Sequence, residues 1–322
     1  MSKSIAIVAG EPNSISSEII FKSWKLKKKY KYRPFFIIGN FDLLNLQKKK
    51  LKIKVKIKQI YNTTDFRKLK KNDLPVLNVK YLQKKPFERL SKKSNKYIFK
   101  CFDIANKLII EKKIAGFINC PITKETLLKN KSGITEFLAK KSGRIGREVM
   151  LIYNKNLSVS PITTHIPIKR VSKNITKKRI IDKVNTIDNF YKKILKNRPK
   201  IAVLGLNPHA SSSEVKSEEN SVILPAIKLI KKRNINVVGP VSPDSSFTFF
   251  KKNKFDVIVG MYHDQVLSPF KALYKHDAIN ITLGLPYFRV TPDHGTGKNI
   301  IGKGIANPKS LIESIKFFNN IK

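Results

Sequence analysis

Apolar, β-branched runs of five to eight residues recur along this chain, separated by longer stretches with helical spacing. The runs are SIAIVAG (4–10), RPFFIIG (33–39), LPVLNV (74–79), AGFINC (115–120), EVMLIY (148–153), LSVSPITT (157–164), KIAVLGL (200–206), INVVG (235–239), DVIVGM (256–261) and AINITLGL (278–285). Near-continuous apolar runs of this length read as strands buried on both faces. Helices are predicted near 16–28, 97–113, 123–131, 175–197, 219–233 and 308–319. In 101–110, for example, Phe102, Ala105, Leu108 and Ile109 recur at helical spacing. Strands alternating with helices predict βαβ units, a mainly parallel sheet and an α/β fold.

At 322 residues the chain can bury a large core and is long enough for two domains. It has no apolar stretch near the ~20 residues a membrane span needs, and its first residues read as a strand rather than a signal peptide. Two cysteines without CxxC spacing fit a reducing cytoplasm and argue against a zinc ribbon or disulfide scaffold. The net charge of +44 invites a polyanion partner, but only ten of the 66 basic residues are Arg. Base readout favours the forked Arg, and the Lys are spread along the whole chain. The charge therefore reads as compositional drift on solvated faces rather than as a nucleic-acid site, and it leaves a general attraction for small anions.

The five histidines are more selective. LSVSPITT runs into His165, KIAVLGL into Asn207-Pro208-His209, and DVIVGM into Tyr262-His263-Asp264-Gln265. In open α/β sheets, sites lie beyond the carboxyl ends of strands. Parallel strands would gather the three imidazoles at one rim. Three neutral imidazoles with an open position suit a catalytic divalent cation such as zinc or cobalt. Asp264 would orient an imidazole or complete the coordination. Each histidine taken alone reads better as a satisfied loop residue than as a ligand; the shared position is what points to a metal.

A second cluster follows: Lys271, Asn280, Arg289, then Asp293-His294-Gly295-Thr296. Lys271 and Arg289 are suited to clamping a phosphate or carboxylate. Arg289 carries more information, because Arg is scarce here and this one stands in the apolar context LPYFRV. The glycines of HGTGKNIIGKG would let backbone approach a ligand closely.

Seven stretches in order, VAGEP (8–12), TEF (135–137), TTHIP (163–167), GLNPHA (205–210), MYHDQ (261–265), NITLGLPYFR (280–289) and DHGT (293–296), resemble the motifs of the 4-hydroxythreonine-4-phosphate dehydrogenase family. The resemblance implies the isocitrate/isopropylmalate dehydrogenase fold, with two α/β/α domains around a central cleft. It sets a first, discontinuous domain at 1–125 plus 275–322 and a second at 126–274. It also implies a homodimer with shared active sites and oxidation of 4-phosphohydroxy-L-threonine at C3 by NAD or NADP. The 3-oxo acid then loses CO2 to give an aminoketone phosphate for pyridoxal phosphate synthesis. One divalent metal (zinc, magnesium or cobalt) is implied on His165, His209 and His263, with substrate contacts at Thr135, Lys271, Asn280 and Arg289. Lys271 and Asp264 are the candidate catalytic groups.

HGTGKNIIGKGIANP (294–308) is similar to the adenosine-binding segment of the wider fold. That match implies a cofactor site on His294, Gly295, Thr296, Asn299 and Asn307, with His294 against the adenine and Asn307 bonded to it. Asn299 stands where NAD-preferring relatives carry an acid. A neutral residue beside Lys298 removes repulsion against a 2′-phosphate, so acceptance of NADP is expected.

The sequence also departs from the family. Its first loop, usually close to GEPxGIGPE, reads Gly10-Glu11-Pro12-Asn13-Ser14-Ile15-Ser16-Ser17-Glu18. The family's substrate-contacting His is Ile134, and Ser211-Ser212-Ser213 replace glycines after NPHA. Either the contacts have drifted onto other groups, which the intact metal and Arg289 positions favour, or the substrate is another phosphorylated four-carbon hydroxy acid such as phosphothreonate or phosphoerythronate. A non-catalytic polyanion binder is the remaining alternative. The five intact positions His165, His209, His263, Lys271 and Arg289 argue against it.

Overall fold

The computed structural model describes residues 3–30, 32–63, 65, 69–123, 134–211, 215–275, 277–319 and 321. It forms two compact units, Met1–Ile134 with Tyr287–Lys322, and Thr135–Pro286. The domain limits expected from sequence placed the return to the first domain at 275. The structure moves it to 287, because the strand Ile279–Leu283 pairs through five residues with Val149–Tyr153 of the second unit.

In unit 1 the strands are β1 (Ile5–Val8), β2 (Phe35–Gly39), β3 (Lys56–Ile60), β4 (Asp73–Asn78), β5 (Gly116–Asn119) and β12 (Phe288–Pro292). They lie in the order β3-β4-β2-β1-β5-β12, and every pairing is parallel. Ile5, Ile7, Phe36 and Ile38 are all fully buried, as a parallel sheet covered on both faces requires. The covering helices include α1 (Ser16–Lys25), α2 (Phe41–Lys50), α3 (Asn95–Ile110) and α8 (Lys309–Asn319). The helix predicted at 97–113 is α3, and its buried stripe is Tyr97, Ile98, Cys101, Phe102 and Ala105, shifted one turn toward the N-terminus of the expected one. Burial pushes the Cys101 thiol up to about 12, so it packs as an inert hydrophobe.

In unit 2 the strands β6 (Val149–Tyr153), β7 (Ser158–Pro161), β8 (Ile201–Leu204), β9 (Val237–Val241), β10 (Val257–Gly260) and β11 (Ile279–Leu283) lie in the order β11-β6-β7-β10-β8-β9. Four of them, β7, β10, β8 and β9, are parallel neighbours; β6 runs antiparallel to both β7 and β11. The sheet here is therefore mixed. The loop between β6 and β7 is too short for the crossover that parallel pairing needs. The helices are α4 (Ile134–Lys141), whose first residue falls in unit 1, α5 (Lys177–Phe190), α6 (Leu224–Lys231) and α7 (His263–Tyr274). The helix expected near 123–131 lies, apart from Thr123, outside the described residues. Among the described residues no helix is long and apolar enough to cross a membrane.

Candidate active site

The three histidine-bearing loops leave the carboxyl ends of three adjacent parallel strands. Strand β10 stands between β7 and β8, with Gly260 beside Pro161 and Val259 beside Val203. His165 follows β7, His209 follows β8 and His263 follows β10, so the topology puts all three at one rim.

Side-chain bonds then lace the loops together. Thr163 donates its N–H and its hydroxyl to the Met261 carbonyl, at 3.1 and 2.8 Å, joining the His165 loop to the His263 loop. Gln265 accepts from Met261 N at 2.6 Å and donates to the Gly205 carbonyl at 2.8 Å, joining the His263 loop to the His209 loop. This requires α7 to pass close to its own strand. A Cβ on Gly260 would come within 2.4 Å of Val266 Cγ1, so only glycine fits.

His263 opens α7 directly after its N-cap, Tyr262. Its Nδ1 lies 2.6 Å from Asp264 Oδ1, and its ring centroid is 5.7 Å from that of His165. A carboxylate on one imidazole nitrogen directs the lone pair of the other outward, the arrangement that metal-binding histidines share. His209 is held differently. It sits in the left-handed region at φ 59°, followed by Ala210 at φ 51°. Its ring is 82% exposed, with Nε2 3.8 Å from Asp244 Oδ2. Hydrogen bonds from Ser242 and Ser245 hold the Asp244 carboxyl below the usual carboxylate range. The structure thus brings His165 and His263 together and leaves His209 turned toward Asp244. Among the described residues no three His, Cys, Asp or Glu side chains gather into a metal-holding group.

The backbone beneath His209 rests on a residue that the sequence reading passed over. Glu219 is fully buried and accepts from Leu206 N at 2.7 Å, Asn207 N at 2.9 Å and Asn207 Nδ2 at 2.8 Å. Burial alone would raise its pKa; the bonds from Asn207 and Leu206 outweigh burial and hold it below the usual range. Its only sequence signal was scarcity: acids number 22 in this chain against 66 basic residues.

Of the expected substrate contacts, Thr135 is half-buried near the start of α4. Lys271 is exposed on α7, eight residues beyond His263, and Asn280 is half-buried on β11 opposite Ile152. Arg289, in unit 1, is 2% exposed on β12, and its Nε donates to Asn119 Oδ1 at 2.8 Å. Ile134, where the family has its histidine, is 5% exposed and packs into the core.

The expected nucleotide segment lies in unit 1. His294 is half-buried, with Nδ1 3.1 Å from the Gly295 carbonyl. Gly295 is exposed, and a Cβ there would meet open space. Thr296 is buried and its carbonyl accepts from Ile15 N at 3.1 Å. Lys298, Asn299, Lys303 and Asn307 are exposed. Asn307 Oδ1 accepts from Lys309 N at 2.9 Å, so its carbonyl oxygen serves the start of α8.

An α/β chain with its ionisable and metal-type side chains at the carboxyl ends of parallel strands has the build of an α/β enzyme. The model of the family described as "Pyridoxal phosphate biosynthetic protein PdxA" matches residues 31–318. The chain belongs to this family. It is 40% identical over 318 residues to the 4-hydroxythreonine-4-phosphate dehydrogenase of Sulfurihydrogenibium sp. (strain YO3AOP1), covering 97% of this chain and 96% of the relative. It is 35% identical over 328 residues to the enzyme of the same name from Aquifex aeolicus (strain VF5), covering 100% and 99%. The solved 4-hydroxythreonine-4-phosphate dehydrogenase of Klebsiella pneumoniae superposes with a TM-score of 0.84 at 28% identity, over 100% of each chain.

Proposed function

We propose that this chain oxidises the C3 hydroxyl of 4-phosphohydroxy-L-threonine with NAD or NADP, using a divalent cation on His165, His209 and His263. The 3-oxo acid loses CO2 to give 3-amino-2-oxopropyl phosphate. The observation that carries the proposal is the placement of these three histidines on adjacent parallel strand ends, in a chain of this family.

Two of the three imidazoles stand ready for the implied cation, and His209, now beside Asp244, would have to turn to join them. The donor set is imidazole, the ring pair His165–His263 is close, and Asp264 fixes the Nδ1 side of one ring. For the dinucleotide, Gly295 offers uncovered backbone, and the exposed Lys298 and Lys303 offer charge for its phosphates. Asn307 has its Nδ2 donors and the second lone pair of Oδ1 for an adenine, the first being taken by Lys309 N. When bound, the cation supplies a Lewis acid for the alcohol and then the ketone oxygen, and the nicotinamide supplies the hydride acceptor.

The chain itself binds and aligns. Asp264 holds His263 in one tautomer and one orientation. Thr163 and Gln265 keep the three loops in register. Arg289, its Nε held by Asn119, offers a fixed fork for an anionic group of the substrate. Asn299, neutral and exposed beside Lys298, admits a 2′-phosphate, so NADP is accepted. A homodimer with shared active sites is part of the same proposal, on the strength of the family alone. Buried free cysteines support a reducing, cytoplasmic setting.

A second reading has one observation behind it. Ile134 is buried and cannot hydrogen-bond where the family has a substrate-contacting histidine. On this reading the substrate is phosphothreonate or phosphoerythronate. Absorbance at the reduced-nicotinamide band decides. Reduction with 4-phosphohydroxy-L-threonine that stops on adding a chelator is expected. Reduction with only the other two acids would replace the first reading with the second.

A further inference from the structure

We infer that Glu18 and Lys22 of α1 are positioning residues for the nucleotide: they clamp the backbone of residues 304–306 in the shape that receives it. This rests on the reading of 294–308 as the dinucleotide segment. Glu18 is 1% exposed, in a chain where acids are far outnumbered by basic residues. Its Oε1 accepts from Ala306 N at 2.7 Å and from Lys22 Nζ at 2.6 Å. Lys22, one helical turn on, also donates to the carbonyls of Gly304 at 2.9 Å and Ala306 at 2.7 Å. All three donors of the ammonium are thereby used. Among the described residues Glu18 Oε2 is buried without a hydrogen-bond partner, so this carboxyl makes its bonds through Oε1 alone.

The clamped stretch needs such a hold. Gly302 and Gly304 adopt φ 72° and 76°, and glycine has the most backbone freedom to lose on ordering. The other end of the segment is held from the same side: Ile15 N donates to the Thr296 carbonyl at 3.1 Å. A Cβ on Gly297 would come within 2.7 Å of Ile15 Cγ2. Between these two anchors Lys298, Asn299 and Lys303 remain exposed. Ordering the loop before the ligand arrives removes a cost from binding.

The test is the Kd of NADH and NADPH for the full chain, from nicotinamide fluorescence, with amide hydrogen exchange across 295–307 as the second readout. Glu18→Ala is expected to raise Kd about tenfold and to speed exchange at Ala306 by a similar factor. Glu18→Gln keeps an oxygen for Ala306 N and should restore Kd to within about threefold of wild type. A folded Glu18→Ala protein that binds as tightly as wild type overturns the inference, even if its exchange is faster, because the clamp is then only structural. Should Glu18→Ala fail to fold, Lys22→Met takes its place with the same expected rise and the same overturning result. A wild-type chain that binds neither dinucleotide overturns the reading of 294–308 and the inference together, so the two failures look different.

Discussion

Two buried carboxyl groups stand under two loops, one in each unit, and folding treats them in opposite ways. Glu11 lies in the loop after β1. It receives long bonds, 3.3 Å from Asn13 N and 3.2 and 3.1 Å from Ser94 Oγ. Burial dominates, and its pKa is raised. Glu219 lies under the loop after β8 and receives three bonds of 2.7 to 2.9 Å, two of them from backbone amides. There the bonds dominate, and its pKa is lowered. The charge follows from the balance of burial against donors: burial weighs more at Glu11, and the donors are shorter and mostly backbone amides at Glu219. The loop whose carboxylate stays ionised carries His209. The loop whose carboxyl is pushed toward the neutral form is the one whose family glycines have become Ser14 and Ser16.

The largest expected effect comes from removing what the Glu219 loop carries. His209→Ala should cost roughly a thousandfold in turnover, since a Lewis acid contributes several kcal/mol to such a step. Steady-state rates check this. A loss below tenfold would mean that His209 is not a ligand, and the contrast between the loops would lose its functional side.

Next is the support itself. Glu219→Gln keeps one acceptor but sets an amide NH2 against the Asn207 side chain, so a loss of about 2 kcal/mol is expected. Urea midpoints measure it. The pH sign follows from the lowered pKa. Glu219 contributes stability above its unfolded value, near pH 4.3, and loses that contribution as pH falls through the still lower folded value. The variant should therefore lie closest to wild type in acid.

Glu11→Gln should be the mildest change, within about 1 kcal/mol at neutral pH, because the native carboxyl is already disfavoured as an anion. Its sign is reversed. A raised pKa gives stability that is full below the unfolded value and lost as pH rises through the folded one. The variant should gain on wild type as pH rises, in the same urea series. A parallel loss for both variants would erase the contrast.

Much of this was legible in the sequence, for reasons that also explain the gaps. Buried parallel strands have to be apolar on both faces, so β1, β2, β8 and β10 were visible as runs. Strand β3 was missed because Lys56 and Lys58 are exposed and break up the apolar pattern at the sheet edge. Strand β12 was missed because its centre is Arg289 and its end is Pro292. Helix α7 was missed because Pro269 lies inside it and because its first residues, His263 and Asp264, read as a loop. The shared placement of the histidines followed from strand ends alone. What could not be read were long-range partners: Gln265 on Gly205, Glu18 on Ala306 and Arg289 on Asn119 join residues 60, 288 and 170 positions apart. Ser212, Ser213 and Gly133 lie outside the described residues.

Cation stoichiometry by elemental analysis, on the dialysed full chain and on His165→Ala, His209→Ala and His263→Ala, tests the central claim most directly. One tightly held divalent cation per chain in wild type, lost in each variant, is the expected result. A wild-type chain that retains no cation, or three variants that keep it undiminished, would contradict the assignment of the strand-end histidines to a metal.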